Sequence, residues 1–351
     1  MVNKAGQNQN TSSAKRAGRV FLKVLTSLLA TLAVIVVALC SVMWVLAKGP
    51  SPTAQRLFVM TVKETSAVGF LANMFLSEAE LELIMGGPEP EEEFYEMDLS
   101  LITLPTVRPP QPVGDSPEED YPEEVTQGDE IELHDVIGSG YLGYMMIIHD
   151  PMRLFVGTPN NFGGRGMTLM DMMRNTGAVA GINGGGFDDP GGTGSGGIPD
   201  GLVILDGQLR WGAGRGNVNV IGFDDAGILH VGTMTPTAAM ALNLQWAVSF
   251  GPTLISNGIA HNVSRSGINP RTAIGQRADG AVLLLVVEGR QIDSLGATYD
   301  DLIEIFLDFG AVNAANLDGG SSTLMMLEGE IINRSASVSG PRPLPTAFLV
   351  S

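Results

Sequence analysis

From Val24 to Leu46 the chain carries no charged residue and almost nothing but aliphatic side chains and small hydroxyls. Such a run has few ways to fold. An α-helix of roughly 20 apolar residues crosses a bilayer with every backbone hydrogen bond satisfied internally. The preceding segment is basic, with Lys4, Lys15, Arg16, Arg19 and Lys23 and no acidic residue. That asymmetry favours a cytoplasmic N-terminus and an exported remainder. The competing reading is a cleaved signal peptide ending near Val45-Leu46-Ala47, but this apolar core exceeds the usual ~7 to 15 residues. The expected organisation is a basic cytoplasmic tail (1–23) and a single-pass cell-membrane anchor (24–47), with everything beyond extracytoplasmic.

After the break at Gly49-Pro50-Ser51-Pro52, residues 48–86 read as a membrane-proximal helical segment. Leu57, Met60, Phe70, Leu71, Met74, Phe75, Leu81 and Ile84 recur at partly helical spacing, and Ser77-Glu78-Ala79-Glu80 has the form of a capping box. A helical hairpin or self-association through residues 53–85 would use this face. Residues 87–129 collect Glu91-Glu92-Glu93, Pro109-Pro110-Gln111-Pro112 and Glu118-Glu119-Asp120. Proline and like charge oppose a packed core, so this reads as an acidic, extended linker. The formal net charge of -18 makes nucleic acid an improbable partner. The single cysteine, Cys40, lies in the apolar run, which excludes an intrachain disulfide framework and argues against a cysteine-ligated metal.

Residues 130–351 change character to short apolar runs separated by glycine, the pattern of an α+β domain with a mixed β-sheet and a few flanking helices. Strands are expected at Tyr141–His149, Leu154–Val156, Ala178–Ile182 and Val282–Val287, and a hairpin at Leu202–Trp211 about Asp206-Gly207. Helices are expected at Thr168–Asn175 and from Thr298 to Phe309, with Gly177 and Gly310 as their stops. Gly191–Gly197 reads as a mobile surface loop. Two polar loops stand at strand ends: Asn183-Gly184-Gly185-Gly186 and Asp318-Gly319-Gly320-Ser321-Ser322. The strand, helix, strand order from Val282 to Leu317 suggests that Glu288 and Asp318 end neighbouring strands. The four histidines stand singly, so no transition metal and no cofactor is expected.

Together, Gly181-Ile182-Asn183-Gly184-Gly185-Gly186-Phe187, Pro270-Arg271-Thr272-Ala273-Ile274-Gly275, Glu288-Gly289-Arg290, Asn316-Leu317-Asp318-Gly319-Gly320-Ser321-Ser322 and Pro341-Arg342 resemble the phosphodiester glycosidase family, in its bacterial, exopolysaccharide-related branch. The resemblance implies a hydrolase that removes a sugar from a sugar-1-phosphate diester. On such a substrate, guanidinium forks match phosphate oxygens, which nominates Arg271, Arg290 and Arg342. Carboxylates serve an oxocarbenium-like transition state, which nominates Asp318 and Glu288 as catalytic. Asn183, Gly184, Gly185, Thr272, Gly319, Gly320, Ser321 and Ser322 complete the expected substrate-binding set. Three glycines before Phe187 and a serine at position 321 depart from the family pattern. They leave open a second reading, a non-catalytic glycan-binding or envelope-assembly module.

Overall fold

The computed structural model describes residues 5–65, 68–86, 97–104, 131–189, 194–263, 266–337 and 339–351, with side chains from residue 19 onward. The chain divides into two compact units, Met1–Met85 and Gly86–Ser351.

In the first unit a single helix runs from Ala5 to Lys48, and its Arg19–Lys48 portion is long and apolar enough to cross a membrane. Three short helices follow, Pro52–Lys63, Phe70–Phe75 and Glu78–Met85. They close on a small core of Ala47, Val59, Val62, Ala72, Leu76 and Leu81. Ser51 caps the first of them. The expected capping box forms before the last: the Ser77 N–H donates to Glu80 Oε2 (2.9 Å) and the Glu80 N–H to Ser77 Oγ (3.3 Å).

The second unit is α+β and holds three principal sheets. The largest has seven strands in the order Ile131–Gly138, Tyr141–Ile148, Val282–Val287, Arg271–Arg277, Ala311–Leu317, Thr253–Ser256 and Ile259–Ala260, every neighbouring pair antiparallel. A second sheet has Leu229–Met234, Val218–Phe223, Trp246–Ser249, Val203–Leu205 and Gln208–Trp211; the third has Glu330–Ile331, Met325–Leu327, Ala180–Asn183, Ala347–Val350 and Leu154–Gly157. One face of the seven-stranded sheet meets the other two sheets in a common core containing Ile274, Leu284, Val286, Leu317, Ile182, Phe348, Phe223 and Val248. Its other face packs against the helix Tyr299–Asp308 through Ala273, Leu283, Leu285, Val287 and Phe306. Both faces are therefore covered, which is why Val282–Val287 is apolar at every position instead of alternating.

Local chemistry sets the boundaries. Thr168 and Thr298 cap the helices Leu169–Thr176 and Tyr299–Asp308, and Gly177 (φ 77°) and Gly310 (φ 80°) follow them in the left-handed region. The Val203–Trp211 hairpin turns through Asp206 (φ 50°) and Gly207 (φ 67°), the positive pair a two-residue hairpin requires.

Three expectations change. Part of the expected linker belongs to the domain: Ile102 is buried, the Asp98 N–H donates to Asn257 Oδ1 (2.8 Å) and the Thr103 N–H to the Ala278 carbonyl (2.7 Å). The acidic runs expected at residues 87–96 and 105–129 lie outside the described residues. Residues 191–193 of the expected mobile loop do too, whereas Gly196 and Gly197 are buried, the latter so close to Gly164 that a Cβ would sit 1.9 Å from its carbonyl oxygen. Finally, the strands ending near Glu288 and Asp318 are not neighbours. Arg271–Arg277 runs between them, pairing Thr272 with both Val286 and Leu317.

Candidate active site

That intervening strand still leaves both carboxylate-bearing ends on one edge of the seven-stranded sheet. The end of the Ala180–Asn183 strand, from the third sheet, arrives at the same edge. Asn183 joins the two. Its side-chain N–H donates to the Asp318 carbonyl (2.5 Å), while its Oδ1 accepts from Thr272 Oγ1 (2.7 Å) and from the Leu324 N–H (3.0 Å). The Asp318 N–H in turn donates to the Gly184 carbonyl (3.2 Å). The loops that the sequence placed far apart do converge, and the Asn183–Thr272 pair is fully buried where they meet. These two side chains are spent on fixing Asp318, which departs from the expectation that they hold sugar or phosphate.

The glycines have similarly specific causes. A Cβ on Gly184 would lie 2.7 Å from Thr346 Oγ1, and one on Gly185 would lie 2.7 Å from the Ser249 carbonyl oxygen. Both are buried by the neighbouring strands, so they serve close packing instead of substrate contact. Gly319 passes against Pro270, where a Cβ would lie 2.7 Å from its carbonyl oxygen, and Gly320 (φ 61°) donates its N–H to the same carbonyl (2.8 Å). The turn after Asp318 is thereby pressed onto the start of the central strand.

Asp318 retains some accessible surface, yet enough protein surrounds it to perturb its acidity. Burial pushes its carboxyl up from 3.8 to about 6, against opposing help from the Ser322 hydroxyl, the Arg342 charge and the Gly319 N–H; the negative charge of Asp200 adds to the rise. Ser322 itself is buried, with its hydroxyl beside the Asp318 carboxyl.

The arginines separate into two classes. Arg342 lies over the Phe187 ring (4.9 Å to the centroid) and donates to Ser321 Oγ (3.2 Å) and to the Asp189 carboxylate (3.1 Å). Arg290 adopts a left-handed backbone (φ 58°), donates to Asn269 Oδ1 (3.2 Å) and reaches within 3.3 Å of where a Cβ on Gly320 would be. These two guanidinium groups flank the 319–322 turn. Arg271 does not join them. Strand alternation turns it to the face opposite Thr272, where it is buried, donates to the carbonyls of Ala297 (3.0 Å) and Gly267 (2.6 Å), and stacks on Tyr299 (4.4 Å). The expectation of phosphate contact fails for Arg271 on that geometry.

Glu288 is likewise diverted. It is buried and accepts from the Arg334 backbone N–H (2.6 Å) and Arg334 Nε (2.7 Å), with a further contact from the same guanidinium, which also binds Asp293. The pair holds the Arg334 guanidinium well above the ordinary arginine range of basicity. Buried and held through both oxygens by one arginine, the Glu288 carboxylate is tied to the 334 segment and not presented to the turn after Asp318.

Sequence reasoning did not single out Asp200 or Arg334, and it read Asp189 as part of a turn. Pro199-Asp200-Gly201 and Asp188-Asp189 look like ordinary turns, and Arg334 stands in no recognisable motif. Only the pairing of distant loops reveals them.

A family model described as phosphodiester glycosidase matches residues 176–351, half of the chain. A 193-residue stretch is 31% identical to the SPbeta prophage-derived uncharacterized protein YomE of Bacillus subtilis (strain 168), covering 52% of this chain and 29% of that protein, so the chain spans under a third of that relative's length. The fold is similar to the catalytic domain of zebrafish N-acetylglucosamine-1-phosphodiester alpha-N-acetylglucosaminidase, solved auto-inhibited by its pro-peptide. The TM-score is 0.53 at 23% identity, over 63% of this chain and 82% of that one.

Proposed function

The chain belongs to the phosphodiester glycosidase family, and on that premise we propose that it hydrolyses a sugar-1-phosphate diester with Asp318 as the proton-donating acid and Arg342 and Arg290 on the phosphate. The observation that carries this reading is a buried carboxyl raised to about 6 beside a glycine turn flanked by two arginines. A phosphomonoester takes its second proton near a pKa of ~6. A donor of matched acidity can hand a proton to the departing phosphate oxygen at little cost, which is where general acid catalysis is most efficient. Arg342 and Arg290 then neutralise the diester in the ground state and the growing negative charge as the anomeric bond breaks. Ser321 and Ser322 line the same turn and supply hydroxyls to the sugar or the phosphate.

The basic segment 1–23 keeps the N-terminus cytoplasmic, the apolar helix anchors the chain, and the catalytic domain works outside the membrane on cell-surface polysaccharide. Self-association through residues 53–85 is compatible with exposed Phe70, Met74 and Leu83.

The test offers the detergent-solubilised full chain a panel of sugar-1-phosphate diesters in ¹⁸O-labelled water. The expected products are free sugar carrying the label and an unlabelled phosphomonoester, with loss of turnover in Asp318→Asn. Label in the phosphate would assign cleavage to the phosphorus–oxygen bond. Binding of polysaccharide without turnover of any diester would replace the hydrolase with a glycan-binding module.

A further inference from the structure

Hydrolysis at an anomeric carbon uses two carboxyl groups, one for the leaving oxygen and one for the incoming water or the sugar. With Glu288 locked onto Arg334, Asp318 lacks its expected companion. One other carboxylate-bearing residue is held by the same 184–186 segment. The Asp200 N–H donates to the Gly186 carbonyl (2.9 Å), and the Asp318 N–H donates to the Gly184 carbonyl (3.2 Å). Two residues apart on one segment, these carbonyls hold the backbones of two aspartates that are far apart in sequence. Gly186 leaves the room: a Cβ there would lie 3.6 Å from Asp200 Cβ and 2.6 Å from the Phe250 ring.

The ordinary explanation for an aspartate before glycine is a turn in which the carboxylate accepts a backbone N–H. Asp200 does not do this. Its side chain makes no hydrogen bond or ion pair among the described residues, and it is exposed, unlike Glu288. Its negative charge also reaches Asp318.

We propose that Asp200 is the second carboxylate of the site, the base that takes a proton from the water attacking the anomeric carbon while Asp318 serves the departing phosphate. The inference rests on the hydrolase reading above. In the step, the water oxygen forms a bond to the anomeric carbon as the bond from that carbon to the phosphate oxygen breaks. The bonding electron pair leaves with the phosphate oxygen, which takes the Asp318 proton; the proton from water passes to the Asp200 carboxylate. Exchange with solvent restores both groups, and the net change is one water consumed, one sugar and one phosphomonoester formed. The division of labour follows from position: the open, unpaired carboxylate faces the solvent that supplies the water, and the enclosed one faces the phosphate turn.

The experiment compares the full chain with its Asp200→Asn variant on a panel of sugar-1-phosphate diesters. Loss of a positioned base predicts a fall in kcat of about 10²- to 10⁴-fold with little change in KM. Added formate, a small base, restores part of the lost rate, which a purely structural defect would not allow. In parallel, ¹³C-carboxyl NMR follows Asp318, whose titration midpoint moves down when the neighbouring charge is removed. Wild-type kcat in Asp200→Asn, or an Asp318 midpoint that does not move, overturns the assignment. If the wild type cleaves no sugar phosphodiester while the midpoint still moves, the hydrolase reading fails and the pairing of the two carboxylates stands.

Discussion

Substituting Asp318 with Asn removes a charge the fold disfavours, and the consequence is measurable without any substrate. The native carboxyl titrates at about 6, against 3.8 when unfolded. Below 3.8 both states hold the proton and the group has no effect on stability. As pH rises past 3.8 the unfolded chain ionises first, which draws the equilibrium toward unfolding; above about 6 both states are ionised and the full cost is present. A gap of about two on the pH scale, at ~1.4 kcal/mol each, amounts to ~3 kcal/mol. This is an upper figure, because the carboxylate keeps some accessible surface. Asn cannot ionise. Asp318→Asn is therefore expected to be more stable than the wild type at pH 7.5 by up to ~3 kcal/mol, while losing turnover. For a domain of this size the gain corresponds to a rise in Tm of about 6 to 12 °C. Thermal or urea unfolding from pH 3.5 to 8 reads it, and the gain should vanish at the acid end. A variant that is less stable at pH 7.5, or equally favoured at pH 3.5 and 7.5, would refute the buried-acid argument.

The same titration predicts that kcat falls as pH rises through about 6, because the donor form of Asp318 is lost; a rate that instead falls as pH drops below 6 would make Asp318 the base or nucleophile. Arg342→Ala should cut kcat/KM about 10- to 100-fold with little change in Tm, since it removes a charge-assisted contact from a partly exposed side chain. Arg271→Ala should do the reverse, costing ~2 to 4 kcal/mol by orphaning the Ala297 and Gly267 carbonyls while leaving KM unchanged, as unfolding curves and steady-state kinetics on the two variants would show. Glu288→Gln should lower stability by ~1 to 3 kcal/mol, a figure held down because Arg334 is half exposed and can turn to water. A hundredfold loss of kcat in a folded Glu288→Gln protein would return that residue to the chemistry.

What could be read from sequence, and what could not, follows the range over which each interaction acts. Helix caps, hairpin turns and the doubly buried Val282–Val287 strand are decided within a few residues, and Thr298, Asp206-Gly207 and the unbroken apolar run announce them. Asp318 was nominated differently: a carboxylate followed by two glycines is by itself an ordinary turn, and it stood out only beside the other motifs of the family resemblance. The roles of Arg271 and Glu288 were not legible, because they depend on strand order and on which face a side chain takes. Inserting Arg271–Arg277 between the strands that end at Glu288 and Asp318 separates the two carboxylates, and one step of alternation turns Arg271 toward Tyr299 and away from the 319–322 turn. Arg334, from a segment with no motif, then claims Glu288.

The charges at this sheet edge can be sorted by whether they are already neutralised. Arg271 and Glu288 are buried with partners that answer their hydrogen-bonding capacity, and breaking either arrangement to engage a substrate would expose polar groups with nothing to replace them. Arg342 stands between Asp189, Ser321 and the Phe187 ring, partly open, and can exchange one anionic partner for another without leaving a buried charge bare. Asp318 is enclosed with no arginine locked onto it, and burial raises its pKa to about 6, weakening the acid into the range where it can both hold and release a proton near neutral pH. The groups the fold leaves incompletely satisfied at this edge are therefore Asp318 and Arg342, with the Ser322 hydroxyl beside the Asp318 carboxyl.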